Sequence, residues 1–420
     1  MGKQFRVAIL GCGLRGVCYT ENMLTTPEKY KIASLCDPLE KQIRKMHELF
    51  GIADTADFTD VNEFFKEKRA DVLVIGTPDR EHVWQAIRGM ELGYDLLLEK
   101  PISDDREELL SLLEAQKRTG RKIVVCHELR YSKGYLKCKE ILDSGRLGNL
   151  YAIDATERAA YWHWTQGYVK GVGASIELGH PAILAKCSHD LDLIQSYAKS
   201  ECESVSSLGE LTFFKKENAP EGSADKCVDC KYMNTCPYSA KRVYVDAWHK
   251  EGEPEFRWPY SKVCIKVPTT EEALYESIRT GQYGRCVFKC KTDLVDHQMV
   301  QMRFKNGVFA SLKMMFAWEM GRRYVFYCDR GELVMDERTK TIEVMPFGEE
   351  VEVIDTKSLL AKGQRGHGGG DAALIERLYD VLSGEGEATT TVSESVESHL
   401  IGIAAEESRK NGGERVFVHK

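Results

Sequence analysis

Four groups of residues in this chain have types and spacings that do chemistry. Gly11-Cys12-Gly13-Leu14-Arg15-Gly16 is a G-x-G-x-x-G turn between an apolar run from Phe5 to Leu10 and a helical segment. Gly11 permits the tight turn, Gly13 lets backbone N–H groups approach a pyrophosphate, and Gly16 lets the helix lie close on a sheet. The phosphates would sit at the positive end of that helix. Asp37, 26 residues after Gly11 and at the end of the run Ile32 to Cys36, is placed to accept hydrogen bonds from a ribose 2′-hydroxyl. A glycine turn alone is weak evidence, but strand, turn, helix, strand and acid in that order predict a dinucleotide site. Lys100 precedes Pro101 at the end of another apolar run, and its ammonium there would stabilise an alkoxide developing as hydride leaves its carbon. The competing reading is a solvated loop lysine.

His189 sits on a segment, Ile183 to Tyr197, that reads as a helix, where Lys186, His189, Asp190 and Leu193 share one face. Imidazole is suited to proton transfer because its ordinary pKa lies near neutrality; a structural histidine with both nitrogens bonded is the alternative. Cys227-x2-Cys230-x5-Cys236 gathers three thiols, for which zinc is the first choice of metal. Free or redox-active thiols and an iron–sulfur cluster are the alternatives. A closed zinc site needs a fourth ligand, and Cys264, Cys286 and Cys290 are the candidates.

The elements that must position these groups are legible in the first third. Strands at Phe5 to Leu10, Ile32 to Cys36, near Ala53, Val72 to Ile75, Asp95 to Leu98 and Lys122 to Cys126 alternate with helices near Leu39 to Phe50, Val61 to Lys68, around His82 and Trp84, and Arg106 to Thr119. Consecutive apolar residues in so short a run as Val72-Leu73-Val74-Ile75 suit a strand buried on both faces of a parallel sheet. The polar groups all fall at strand carboxyl ends, where ligands bind in open α/β sheets. From about Gly148 strands follow one another without helices between, which predicts an α+β domain with a mostly antiparallel sheet. We place the domains at 1–128 and 129–420, with a cysteine-bearing insertion at about 215–290. Glu385 to Thr391 reads as a surface loop, and Asp371 as the N-cap of a helix from Ala372 to Leu382.

With 420 residues, 43% hydrophobic and 29% charged, the chain suits two domains with full cores. A formal charge of −7 without a basic block gives no nucleic-acid surface, and no apolar run has the length of a membrane helix. The N-terminal run is interrupted by Arg6, so it reads as a strand rather than a secretion signal, and the 14 cysteines read as reduced thiols of a cytoplasmic protein.

The Gly11 to Gly16 loop, Thr77-Pro78 with His82, Glu99-Lys100-Pro101, and Lys186-Cys187-Ser188-His189-Asp190-Leu191-Asp192 resemble, in order and spacing, the glucose-fructose oxidoreductase and inositol dehydrogenase family. The resemblance spans most of the chain and implies a Rossmann domain followed by an α+β domain with an open sheet that serves as the interface of a homodimer or homotetramer. It implies that Thr77, Pro78, His82, Glu99 and Lys100 join the glycine loop and Asp37 in holding NAD, with NADP disfavoured by Asp37. Lys100 then touches the reacting hydroxyl and His189 is the general base or relay. Inositol dehydrogenases carry an aspartate four residues before this histidine; here that position is Ala185, and Lys186 looks like the replacement. An ammonium cannot take a proton, and it suits an acidic or keto substrate. Gly284 to Phe288 resembles a segment of relatives carrying the same insertion, which selects Cys286 as the fourth thiol for a structural zinc.

Arg130, His163, Lys186, Asp190 and His367 are the candidate substrate contacts. His127 to Tyr131 follows the last strand of the first domain and is either a ligand contact or domain-junction packing; Tyr131 stands where an H-E-x-x-H zinc site needs histidine. Tyr161-Trp162-His163-Trp164 would form either a sugar-stacking wall or core. His367 lies in a glycine-rich loop that could reach the cleft. The expected activity is NAD-dependent hydride transfer at a sugar, inositol or sugar-derivative carbon. The rivals are an NAD-dependent glycosidase acting by transient oxidation and elimination, and a non-catalytic NAD-binding sensor or scaffold.

Overall fold

The computed structural model describes residues 2–360 and 366–419. Six apolar runs form parallel strands: β1 Phe5–Leu10, β2 Tyr30–Cys36, β3 Ala56–Phe58, β4 Val72–Ile75, β5 Asp95–Leu98 and β6 Ile123–Val125. Their order is β3-β2-β1-β4-β5-β6, so the winding reverses between β1 and β4 and opens a crevice at the strand ends there. All four residues of β4 are buried, as a strand covered on both faces requires. Helices Leu14–Leu24, Glu40–Phe50, His82–Glu91 and Arg106–Thr119 make crossovers.

Three local expectations are corrected. The strand placed near Ala53 lies at Ala56–Phe58, and the helix expected to reach Lys68 stops after Phe64. Phe64 and Phe65 both turn into the core, while Lys68 swings out to donate to Gly93 O at 2.7 Å. The loop expected at Glu385 to Thr391 is not all surface. Thr390 is buried and donates its hydroxyl to Val125 O at 2.7 Å, pinning the loop to β6.

The second sheet has nine strands: β7 Leu150–Ala160, β8 Cys202–Glu210, β9 His297–Phe304, β10 Phe309–Ala317, β11 Gly321–Cys328, β12 Gly331–Asp336, β13 Thr341–Pro346, β14 Glu352–Asp355 and β15 Val416–Phe417. The order is β14-β13-β12-β11-β7-β10-β9-β8-β15, with β7 and β10 parallel and the other pairs antiparallel. Buried and exposed residues alternate along β9, the mark of a sheet with one face on a core. The helices Ala182–Ala198 and Val392–Lys410 pack together beneath it. The fold is thus a Rossmann domain with a parallel sheet and an α+β domain with a mostly antiparallel one.

Between β8 and β9 the chain makes short helical turns around its own apolar cluster, which includes Tyr244, Trp248, Tyr260, Leu274 and Ile278. Its longest helix, Glu271–Thr280, starts at Thr270, whose hydroxyl accepts from Ala273 N. The segment Gly366–Ser383 crosses back to the first sheet, where Leu374, Ile375, Leu378 and Tyr379 share a core with Phe5, Val7, Ile9 and Tyr30. Its first residues are not helical: His367, Gly368 and Gly369 have φ of 39°, 62° and 83°. A Cβ on Gly370 would lie 2.2 Å from Glu128 O, so this turn is pressed onto the end of β6.

Candidate active site

The glycine loop is shaped partly by the protein and partly by open space. Gly11 has φ +94°, and a Cβ there would lie 2.5 Å from Gly76 O. A Cβ on Gly16 would lie 2.2 Å from Gly11 O, so strand, turn and helix can approach only without side chains. Gly13 differs, since a Cβ there would meet no protein atom within 4 Å. It is the N-cap of the Leu14–Leu24 helix, whose start carries no side-chain cap. Protein packing therefore does not require a glycine at this position, whereas a pyrophosphate drawn to the helix start does, and the residues present fit NAD. Cys12 is buried below the loop, with its N–H donated to Asp37 Oδ2 at 2.9 Å. Asp37 Oδ1 accepts from Leu39 N at 2.9 Å, so the carboxylate is fixed at the end of β2. Lys45, which sequence reasoning passed over, supports the loop by donating to Cys12 O at 3.0 Å.

At the end of β4 the Thr77 hydroxyl donates to Gln85 Oε1 at 2.7 Å, and Pro78 opens the next turn. His82 is buried with its ring nitrogens 2.8 Å from Pro101 O and 3.0 Å from Thr77 O. It clamps the loops after β4 and β5 together; the cofactor contact expected of it is replaced by this positioning role.

Arg15 is a second correction. As part of the glycine loop it is expected to help hold NAD. Instead it turns inward and pairs with Glu99, Glu128 and Asp371, the last at 2.9 Å, and donates to Tyr19 Oη. Asp371, expected as a helix cap, is held by Arg15 and by His367 Nδ1 at 3.1 Å. Burial works to raise Glu99, but Arg15 and Lys100 outweigh it and hold its carboxyl below the usual range. Glu128 goes the other way, pushed up by burial, with Arg15 opposing and Glu99 reinforcing. Glu99 Oε2 accepts from Lys100 N at 3.0 Å, so it props the lysine rather than reaching a ligand itself.

Among the described residues no hydrogen bond or ion pair occupies the Lys100 ammonium. His189 is close enough to be affected by it: burial first, then Lys100, His367, Arg322 and His127, lower its pKa well below 6.5. These surroundings favour the neutral form of its imidazole. Its Nε2 lies 3.5 Å from Glu128 Oε2, and ligand atoms of Glu128, His189 and His367 converge within 4.8 Å. His367, partly exposed, joins this cluster to solvent. An imidazole from the second domain, the acid that follows β6 and His367 meet in one place, with the charge of Lys100 acting on the imidazole, and the acid is the member that sequence reasoning did not single out.

The rest of the predicted substrate set divides. Lys186 Nζ lies 2.8 Å from Glu157 Oε1, and Glu157 Oε2 lies 2.9 Å from Arg322 Nε. Arg322 also donates to Asp190 Oδ1 at 2.9 Å, which accepts from Tyr324 Oη at 2.8 Å. Two cations meet two carboxylates, so Lys186 brings no net positive charge, against expectation, and Asp190 is fully committed inside the protein. Glu157 and Arg322 stand opposite each other in the β7–β11 register, a cross-strand pair from distant sequence that no local pattern announces.

Arg130 is committed as well. It binds Asp192 at 3.0 Å, Glu394 at 3.3 Å, Thr389 O at 3.1 Å and Ser196 Oγ, so it ties the junction rather than a substrate. Burial, then the charges of Lys186, Arg322 and Lys100, depress the pKa of His163. Its ring meets Trp258 at 5.0 Å, and Trp162 meets Trp258 at 4.9 Å, while Trp164 is core. Trp258 comes from the cysteine-bearing insertion, as does Phe256, whose ring lies 5.7 Å from Lys45 Nζ. Cys227, Cys230, Cys236 and Cys286 line one cavity within that insertion.

Comparison with known proteins places this geometry. Residues 5–127 match a model described as the oxidoreductase family, NAD-binding Rossmann fold, and residues 139–418 match its C-terminal alpha/beta domain. A Bacillus subtilis (strain 168) protein described as an oxidoreductase, YteT, is 23% identical over 405 residues, 90% of this chain and 91% of its own. The scyllo-inositol 2-dehydrogenase (NAD(+)) of the same organism is 27% identical over 215 residues, 50% of this chain and 59% of its own. Among solved structures, levoglucosan dehydrogenase in complex with NADH and levoglucosan superposes with TM-score 0.72 at 14% identity, covering 100% of both chains. An oxidoreductase from Agrobacterium radiobacter, in complex with NAD+, L-tartaric acid and magnesium, does so with TM-score 0.70 at 15% identity, covering 99% of each. With both domain models matched across nearly its full length, the chain belongs to the GFO/IDH/MocA family of NAD-binding oxidoreductases.

Proposed function

We propose that this protein is an NAD-dependent dehydrogenase that moves hydride between nicotinamide and a carbinol or carbonyl carbon of a neutral sugar, inositol or sugar derivative. The observation that carries this reading is the cluster in which Glu128, His189 and His367 bring ligand atoms within 4.8 Å, with Lys100, unpaired among the described residues, acting on the buried His189 beside a glycine loop whose Gly13 faces open space. Bound NAD supplies the hydride acceptor. Lys100 donates a hydrogen bond to the substrate oxygen and stabilises its negative charge as the C–H bond breaks. His189 takes the hydroxyl proton, and Glu128 Oε2, 3.5 Å from His189 Nε2, stabilises the imidazolium and receives the proton in turn. His367, in the same cluster, leads it to solvent.

A neutral substrate is favoured over an acidic one because the charges of Lys186 and Arg322 are cancelled by Glu157 and Asp190. The Trp162–His163–Trp258 group supplies ring faces for the apolar side of a sugar. NAD is preferred to NADP because Asp37 is fixed beside the loop while Arg15 is engaged elsewhere. The open face of the second sheet exposes Tyr151, Leu208, Met299, Phe309 and Val353, an apolar surface suited to pairing with another copy as a homodimer or homotetramer. The test is a panel of sugars, inositols and aryl glycosides in which reduced cofactor and released aglycone are followed together. NADH formation with a free polyol supports the proposal; aglycone release without net reduction would replace it with the glycosidase reading.

A further inference from the structure

The cavity in the insertion is small, about 30 Å³, and four of its lining residues are Cys227, Cys230, Cys236 and Cys286. Sequence left three candidates for a fourth partner to the Cys227-x2-Cys230-x5-Cys236 run. The fold separates them: neither Cys264 nor Cys290 is among the residues lining this cavity, and the Sγ of Cys290 bonds back to Cys286 O at 3.3 Å. Cys286 faces the other three. An isolated antiparallel bridge between Lys226 and Arg285 sets the turn carrying Cys227 and Cys230 beside the turn carrying Cys286, and Cys286 N donates to Asp225 O at 2.8 Å.

A second, independent observation concerns Lys170. It is 3% exposed, and its ammonium donates to Tyr283 O at 3.1 Å and Tyr238 O at 3.5 Å. Among the described residues no carboxylate pairs with it. Tyr238, which accepts from it, lines the cavity with the four thiols, and burial lowers the pKa of the lysine against the opposing influence of Cys227, Cys290, Cys286 and Cys236. A buried cation needs a counter-charge, and these cysteines, once deprotonated, would supply one. Four thiolates around one Zn²⁺ leave a net charge of about −2, of which the ammonium offsets one unit.

We propose that Cys227, Cys230, Cys236 and Cys286 bind a structural Zn²⁺ as four thiolates, with the Lys170 ammonium as an outer cation that offsets part of the site's charge. Among the described residues, the groups whose ligand atoms already converge within 4.8 Å lie elsewhere, so the thiols rotate inward on binding. The metal fixes the insertion that carries Trp258 and Phe256, and the site stands independently of the substrate assigned above.

The test uses the full-length protein purified under reducing conditions without chelator. One zinc per chain by elemental analysis is expected, and cobalt exchanged into the site should give sulfur-to-metal charge-transfer bands with the visible spectrum of a tetrahedral ion. Cys286→Ser should lose the metal and Cys264→Ser should keep it. The cobalt spectrum of the unaltered chain decides the matter even where a variant fails to fold. Lys170→Met should release zinc to a chelator at least tenfold faster. A chain that stays metal-free in excess Zn²⁺, iron and labile sulfide in place of zinc, or full stoichiometry in Cys286→Ser overturns the zinc site. Unchanged release from Lys170→Met overturns the role given to the lysine.

Discussion

Glu128 Oε2 lies 3.5 Å from His189 Nε2, at the end of a strand 61 positions earlier in the chain. The position one helical turn before the histidine is Ala185, so an acid that could have come from the same helix comes instead from the turn that follows β6. Arg15, paired to Glu128 on its other side, keeps the carboxylate aimed. We expect Glu128→Gln, which keeps the shape and removes the charge, to lower kcat about a hundredfold and to alter the pH profile of oxidation, with NAD affinity unchanged. Steady-state kinetics across pH with NADH binding as control checks this; wild-type kcat would remove Glu128 from the proton path.

Lys100→Ala should cost about a hundredfold to a thousandfold in kcat, because the substrate oxygen loses its cationic donor while the glycine loop is untouched. Fluorescence titration with NADH should give nearly the wild-type Kd. Turnover near wild type would show that the ammonium is a bystander.

Asp37 does two jobs that one variant exposes together. Asp37→Ala should raise acceptance of NADP by removing the acid opposed to a 2′-phosphate. It should also weaken NAD binding, since the N–H groups of Cys12 and Leu39 lose their acceptor. The ratio of kcat/KM values for the two cofactors measures the first effect. A ratio unchanged from wild type would show that selection lies elsewhere.

Acid should unfold this protein steeply, and His399 is one reason. Its Nε2 accepts from Ile102 N at 2.9 Å, and its other nitrogen faces Ser395 O, so only the neutral ring satisfies both. Burial, with the charge of His127, pushes its pKa down to about 3, and burial with Arg130 and Lys100 does the same to His127. A histidine whose folded pKa lies below its unfolded value gains its proton on unfolding. Its stabilisation is complete above pH 6.5 and is lost as pH falls toward about 3. Each such ring contributes up to about 1.4 kcal/mol per pH unit in that window. His399→Gln should flatten the fall in urea stability by that amount; an equally steep fall would assign acid sensitivity to other groups.

Trp258→Ala should raise KM for the sugar about tenfold or more while leaving NAD binding intact, since its ring closes the Trp162–His163 wall. Equal KM values would put the substrate on another surface.

What sequence reveals here follows from how local each signal is. The glycine loop, Asp37, Lys100 and the Ala182–Ala198 helix each sit within a few residues of the pattern that announces them, and both domain types follow from the alternation of elements. Charge pairing is not local. Lys186 read as a free cation because Glu157, the carboxylate that neutralises it, arrives from β7, paired in register with Arg322 of β11. Arg15 read as a cofactor contact because Glu99, Glu128 and Asp371 lie far away in sequence. Trp258 stayed invisible in a stretch without periodicity, where only the folded insertion shows which ring turns inward.

The return of Gly366–Ser383 to the first sheet has a consequence for biosynthesis. Leu374, Ile375, Leu378 and Tyr379 cover Phe5, Val7, Ile9 and Tyr30, residues made far earlier in the same chain. Those side chains stay partly uncovered on the nascent polypeptide until the Gly366–Ser383 segment has been made, which is the situation in which chaperones are recruited. Gene fragments ending soon after β6 would yield a greasy, aggregating product rather than a working nucleotide-binding half.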